Sequence, residues 1–276
     1  MTRRTLGFGL MFATVVLLGL IALGQTADEI LDMVDAEADA LAEGSMISII
    51  RFDNAFGDGT TGSNLFGSLA IPNQSLIYFM EPADVAGTVF LTIESEDEDK
   101  DADLYIYFTF FGDKLPKQLV NEERSDSFAG SALSYSDLGD REGRADYNAV
   151  LLGEEDVVIG DVTRVAYKIE STAKPDAEVD SPRAIVWIDK EFLIMLKMES
   201  YNDLGNLDTT MSVLVLGEFE GKLTADELLA TDHSDGSTTT ITILERRRPD
   251  EEIPVETFLP ENIPAFNAAL WGFGTE

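Results

Sequence analysis

The residues able to do chemistry are few and poorly grouped. The 276-residue chain has no cysteine and one histidine, His233. Without cysteine there are no disulfides, thiolate nucleophiles or cysteine metal sites, and no residue for N-terminal lipidation. His233 is then the one base open to a Ser-His-Asp arrangement. It sits in the polar run TDHSDGST, where an isolated histidine is ordinarily a solvated loop residue. Gly130-Ser131 does not satisfy the G-x-S-x-G pattern of a nucleophile elbow. In ESEDEDKDAD (Glu94 to Asp103) the alternating acids Asp97, Asp99, Asp101 and Asp103 have the spacing of a calcium loop. The glycine at its sixth position and the closing bidentate glutamate are missing. The run reads instead as a solvated hairpin tip, the usual fate of like charges in sequence. Carboxylates are abundant, yet none forms a recognisable pair or metal motif. Neither catalysis, a cofactor nor a metal is expected.

The strongest remaining signal is apolar. Ala184 to Leu216 reads as three strands joined by two tight turns, Asp189-Lys190-Glu191 and Asn202 to Asn206. Ile185 and Trp187 alternate with Val186 and Ile188. Phe192, Ile194, Leu196 and Met198 are expected on one face, with Lys197 and Glu199 on the other. Met211, Val213 and Val215 continue the period of two, the signature of a sheet with an apolar face. Such a face needs a cover, made either of protein alone or of protein and a bound lipid.

Composition narrows the partners. Forty-five per cent of residues are hydrophobic, ample for a core, and 52 acids against 19 bases give a net charge of −33. Nucleic acid and anionic membrane surfaces demand lysine and arginine and are excluded as expected partners. The acidity fits either a solubility need or a partner with a basic patch.

Along the chain, residues 1–24 have the form of a secretory signal. Arg3 and Arg4 precede an uncharged run from Leu6 to Leu23 that ends in small residues. The alternative is a retained anchor, since the run approaches the length of a membrane span. Thr26 to Leu41 reads as a helix opened by a Thr26–Glu29 capping box, with Ile30, Leu31, Val34, Ala38 and Leu41 in one stripe and Gly44 as its stop. That helix either packs on a core or lids a cavity. Strands are expected at Met46 to Phe52, Leu69 to Ile71, Ser75 to Met80, Gly87 to Ile93, Leu104 to Phe111, Tyr147 to Leu152, Val157 to Ile159, Arg164 to Glu170, Gly217 to Leu229 and Ser237 to Glu245. Thr224 and Glu227 are also spaced to cap a short helix. Residues 53–68 read as loop, and 246–264 as a charged, Pro-rich tail extended over the surface.

Four segments in order carry a family resemblance: SLIYFMEPADVAGTVFL (Ser75 to Leu91), SFAGSALSYSDL (Ser127 to Leu138), LLGEEDVVIG (Leu151 to Gly160) and VWIDKEFLIMLKMESYNDLGNL (Val186 to Leu207). Together they resemble the outer membrane lipoprotein-sorting proteins, relatives of the periplasmic carrier LolA. The resemblance implies a mainly β (α+β) fold, a curved antiparallel sheet forming an incomplete β-barrel with helices over its concave face. Residues 25–265 would form that single domain, with 266–276 as a C-terminal tail. It also implies a non-enzymatic, periplasmic or extracytoplasmic, monomeric carrier of lipid or lipoprotein acyl chains. The candidate groove lining is Ile30, Val34, Tyr107, Phe128, Tyr135, Trp187, Ile194, Leu196 and Met198. The alternative function is an envelope sensor or interaction module of the same fold, docking on a membrane-protein partner, its groove filled by its own side chains.

Overall fold

The computed structural model describes residues 25–95, 102–109, 115–120, 123–124, 126–135, 146–177, 179 and 181–274. The expected leader at 1–24, the acids Asp97, Asp99 and Asp101, the end of the aromatic strand at 110–111, and Leu138 lie outside the described residues.

The chain begins with α1 (Ala27–Ala42). Its capping box forms as the sequence dictates: the Glu29 amide donates to Thr26 Oγ1 at 3.2 Å, and the Thr26 amide donates to a Glu29 carboxylate oxygen at 2.8 Å. Just beyond the helix, Gly44 takes a φ of +78° and turns the chain into the first strand.

Thirteen strands form one antiparallel, unclosed sheet. In chain order they are β1 (Met46–Ala55), β2 (Thr61–Ile71), β3 (Gln74–Glu81), β4 (Val89–Ile93), β5 (Asp103–Tyr107), β6 (Lys117–Gln118), β7 (Tyr147–Ile159), β8 (Val162–Ala173), β9 (Arg183–Asp189), β10 (Met195–Tyr201), β11 (Leu207–Phe219), β12 (Lys222–Asp232) and β13 (Thr238–Arg247). The spatial order is β6-β5-β4-β3-β2-β1-β13-β12-β11-β10-β9-β8-β7. The chain therefore meanders outward from β1 to one edge, crosses to the other edge at β7, and meanders back until β13 pairs with β1. Neighbouring strands are consecutive in sequence except at the centre, where first and last strands meet. The segment Thr224 to Leu229, with its helix-like spacing, lies within β12.

Around β1 to β5 both faces are buried, and strict alternation divides them. Phe52, Phe66, Phe79, Phe90, Leu104 and Ile106 point to one face. Ile47, Leu69, Leu76, Val89, Leu91 and Tyr107 point to the other. The first face is covered by the crossover after β6, which inserts Phe128 and Leu133. The second is covered by the C-terminal segment.

Three expectations are corrected here. Residues 53–68 are not a loop: β1 and β2 run through them and only Phe56 to Thr60 turns. Polar residues in these strands masked the pattern. Asn54 and Asn64 are buried; Asn54 donates to Asn64 at 3.2 Å and accepts from Thr239 Oγ1 at 2.7 Å, while the Ala132 amide donates to that hydroxyl at 2.8 Å. The chain after β13 is not an extended surface tail either. It forms 3₁₀ turns at Val255–Phe258, Pro260–Ala265 and Ala268–Trp271 and buries Ile253, Phe258, Ile263 and Phe273 on the second face. Gly67 is the socket for this segment, since a Cβ there would lie 2.3 Å from the Phe273 ring. Finally, of the helices expected over the sheet, α1 is the one extended α-helix among the described residues, and the C-terminal cover is built of 3₁₀ turns instead.

Candidate functional site

The two halves of α1 sit differently. Its first turn is locked down: Ala27 and Ile30 are buried against Ile169 of β8 and Ile188 of β9, and the Tyr167 hydroxyl donates to the Gln25 side chain at 2.7 Å. Farther along the same stripe, Val34, Ala38 and Leu41 are only partly buried. Beneath them lies a half-open cavity of about 370 Å³. Its floor is the β9–β10 turn, Glu191 to Met195, and its end wall is the β11–β12 turn, Gly221 to Leu223. Ion pairs and carbonyl contacts fasten the far end of the helix across it. Lys222 bonds Glu37 at 2.8 Å, while Arg248 donates to the Leu41 carbonyl at 2.9 Å and bonds Glu220 at 3.0 Å.

The floor owes its shape to Asp189, whose side chain is wholly buried. Arg164 donates to both carboxylate oxygens, at 2.6 and 2.9 Å, and the amides of Glu191 and Phe192 donate to one of them at 2.9 Å. Burial alone would push the Asp189 carboxyl up. The hydrogen bonds from Arg164 and the two amides outweigh it and hold the group below the usual carboxylate range. Leu193 takes a φ of +56° in the turn so held, and the Arg164 guanidinium stacks 4.9 Å from the Phe192 ring centre.

The expected strand reading is corrected at this point. Phe192 and Ile194 do not share a strand face with Leu196 and Met198, because they belong to the turn and β10 starts at Met195. A bulge between Met195 and Lys197 places Leu196 in the Trp187 cluster, while Met198 pairs with Val186 and Met211.

The nine candidate lining residues fall in several places. Val34 and Ile194 meet on the cavity walls, and Ile30, one turn before Val34 on α1, is buried against Ile169 and Ile188. Trp187 and Leu196 are buried together with Ile159, Ala166, Ile185 and Val213, with Ile194 against their edge. Met198 is half-buried. Phe128 and Tyr135 pack on the first face of the other half of the sheet, and Tyr107 lies on its opposite face. The Phe128 ring centre lies 6.1, 5.5, 5.4, 5.5 and 5.5 Å from those of Phe52, Phe66, Phe79, Phe90 and Tyr135. Sequence reasoning missed Phe192, Leu193, Met195 and Leu223 as cavity walls. The available signal was the apolar run Phe192 to Met195 directly after a turn, where solvent-facing residues are usual. His233 is exposed, its Nε2 2.8 Å from the Thr210 hydroxyl.

Comparison with known proteins follows the fold. A DUF1329 family protein from Desulfovibrio piger matches with a TM-score of 0.75 at 21% identity over 87% of this chain and 100% of its own. A putative outer membrane lipoprotein-sorting protein domain from Vibrio parahaemolyticus matches at 0.72 and 20% identity, over 86% of this chain and 97% of its own. The LolA superfamily protein NE2245 from Nitrosomonas europaea matches at 0.63 and 20% identity, over 86% and 98%. No curated protein matches the chain. Residues 72–264 match the model of an "Uncharacterized protein"-like family, so the chain belongs to that family, and it shares its fold with the Vibrio lipoprotein-sorting protein domain and the Nitrosomonas LolA superfamily protein.

Proposed function

We propose that this protein is a non-enzymatic, extracytoplasmic carrier that holds a lipid or lipoprotein acyl chain in the cavity under α1. The observation that supports this reading is the cavity itself. It is lined chiefly by Val34, Ala38, Leu41, Phe192, Leu193, Ile194, Met195 and Leu223, and its volume of 370 Å³ falls within the range of small-molecule sites. Each methylene buried there contributes about 0.8 kcal/mol, so a chain of ten methylenes gains roughly 8 kcal/mol before ordering costs. Release requires the groove to open. The half-buried distal part of α1, fastened by Lys222 and Arg248 rather than by a packed interface, is the element suited to move.

A second reading has one observation in its favour. The hollow between the crossover and the first sheet face is filled by the protein's own rings around Phe128. A self-filled groove suits an envelope sensor or docking module with a membrane-protein partner. Filling the α1 cavity separates the two. Replacing Ala38 with Trp should abolish binding of an uncharged fluorescent acyl-chain probe while leaving the melting temperature within a few degrees. Probe binding that survives this substitution, or is absent in the parent protein, would remove the carrier reading.

A further inference from the structure

The charged groups of the α1 cavity stand at its mouth, and their arrangement bears on the ligand, given the carrier reading on which this inference rests. Glu37 on the helix, Glu191 on the β9–β10 turn and Lys222 on the β11–β12 turn are the charged residues of the lining. The Lys222 ammonium is taken up by Glu37. Glu191 shares Arg164 with Asp189, so one guanidinium, 19% exposed, serves two carboxylates. The lining of the mouth therefore sets two carboxylates, Glu37 and Glu191, against one ammonium, with the neighbouring Arg164 guanidinium already divided between Glu191 and the buried Asp189. The side chains of Glu191 and Glu37 remain 69% and 49% exposed, leaving acceptor oxygens turned to the solvent where a head group would rest. α1, which forms the lid, carries six acidic residues and no lysine or arginine, within a chain of net charge −33. An anionic head would meet repulsion at the rim and from the protein at large. An ammonium head would be attracted to the Glu37 and Glu191 carboxylates, and an apolar cavity of 370 Å³ suits one chain better than several.

We propose that this cavity selects a single-chain amphiphile whose head carries a positive charge, alone or within a zwitterion. The chain lies under Val34 and Ala38, and the cation rests between Glu37 and Glu191. A cation about 4 Å from one exposed carboxylate in water gains roughly fivefold in affinity, an advantage that fades with added salt.

The test is calorimetric titration of the purified protein with decyltrimethylammonium, decylphosphocholine, decyl maltoside and decyl sulfate, each below its micellar concentration. The same titrations are made on Ala38→Trp and on Glu37→Gln/Glu191→Gln. The expected order is ammonium and phosphocholine tightest, maltoside about fivefold weaker and sulfate weakest. Ala38→Trp should abolish binding, and the double Gln variant should bring the ammonium compound close to maltoside. Ammonium binding that persists in Ala38→Trp would be adsorption to the acidic surface and would overturn the inference. Equal binding of all four compounds, lost in Ala38→Trp, would overturn the head-group selection and leave the acyl-carrier reading standing. No binding of any compound would overturn both.

Discussion

Replacing Asp189 with Asn tests the claim that one buried carboxylate holds the floor of the cavity. The substitution keeps the shape of the side chain and removes its charge. One acceptor oxygen becomes an NH₂ group facing an Arg164 nitrogen that now donates at 2.6 Å. Breaking one side of a fully buried pair costs about 3–5 kcal/mol. Arg164 is partly exposed and keeps Glu191 as a partner at 3.0 Å, so the lower end applies, about 3 kcal/mol. For a chain of this size that corresponds to a fall in melting temperature of roughly 6–12 °C. The acid dependence fixes the cause. The folded Asp189 carboxyl titrates below its unfolded value of about 3.9, so its contribution is fully present above that value and is lost as pH falls through the folded one. Urea unfolding at a series of pH values should thus show parent and Asp189→Asn separated at pH 7 and converging below about pH 4. Equal stability at pH 7, or a gap unchanged in acid, would refute the assignment of the turn's order to this ion pair.

Other outcomes follow from the packing. Phe128→Ala removes the ring at the centre of the aromatic cluster and should cost about 3–5 kcal/mol by urea unfolding; a loss below about 1 kcal/mol would mean that the crossover does not cover that face. Gly67→Ala sets a methyl group against the Phe273 ring. It should destabilise by about 1–3 kcal/mol and make the segment after Ile253 sensitive to protease, whereas unchanged proteolysis would separate the glycine from the docking of that segment. Thr26→Ala removes half of the capping box and should cost about 1 kcal/mol, with faster amide exchange confined to the first turn of α1. Exchange that rises throughout the sheet instead would show that α1 is not an independent element.

The sequence was most legible where backbone geometry and hydrophobic period agree. The capping box at Thr26 and Glu29 and the meander from Arg183 to Phe219 follow from local signals, and four motifs pointed to the LolA-like fold. The misread segments share one physical cause, side chains whose role is fixed by residues distant in sequence. Asn54 and Asn64 look like loop residues until Thr239 and Ala132 complete their hydrogen bonds. Gly67 looks like a breaker until Phe273 occupies its space. The charged, Pro-rich stretch after Arg247 looks like a tail until Phe258 and Ile263 find the second sheet face. The cavity was legible only in part. Val34 and Ile194 are visible as apolar residues of a helix stripe and a strand end. Their meeting depends on a turn shaped by Arg164 from another hairpin, which no local pattern reveals.

The most direct measurement of the carrier proposal is native mass spectrometry of the protein released gently from the cells that make it, alongside Ala38→Trp. The parent protein should carry one additional mass, equal to a single lipid or acylated species, and Ala38→Trp should run at its bare mass. A bare mass for the parent in repeated preparations, with no adduct after incubation with a host lipid extract, would contradict the proposal that the space under α1 holds a hydrocarbon chain.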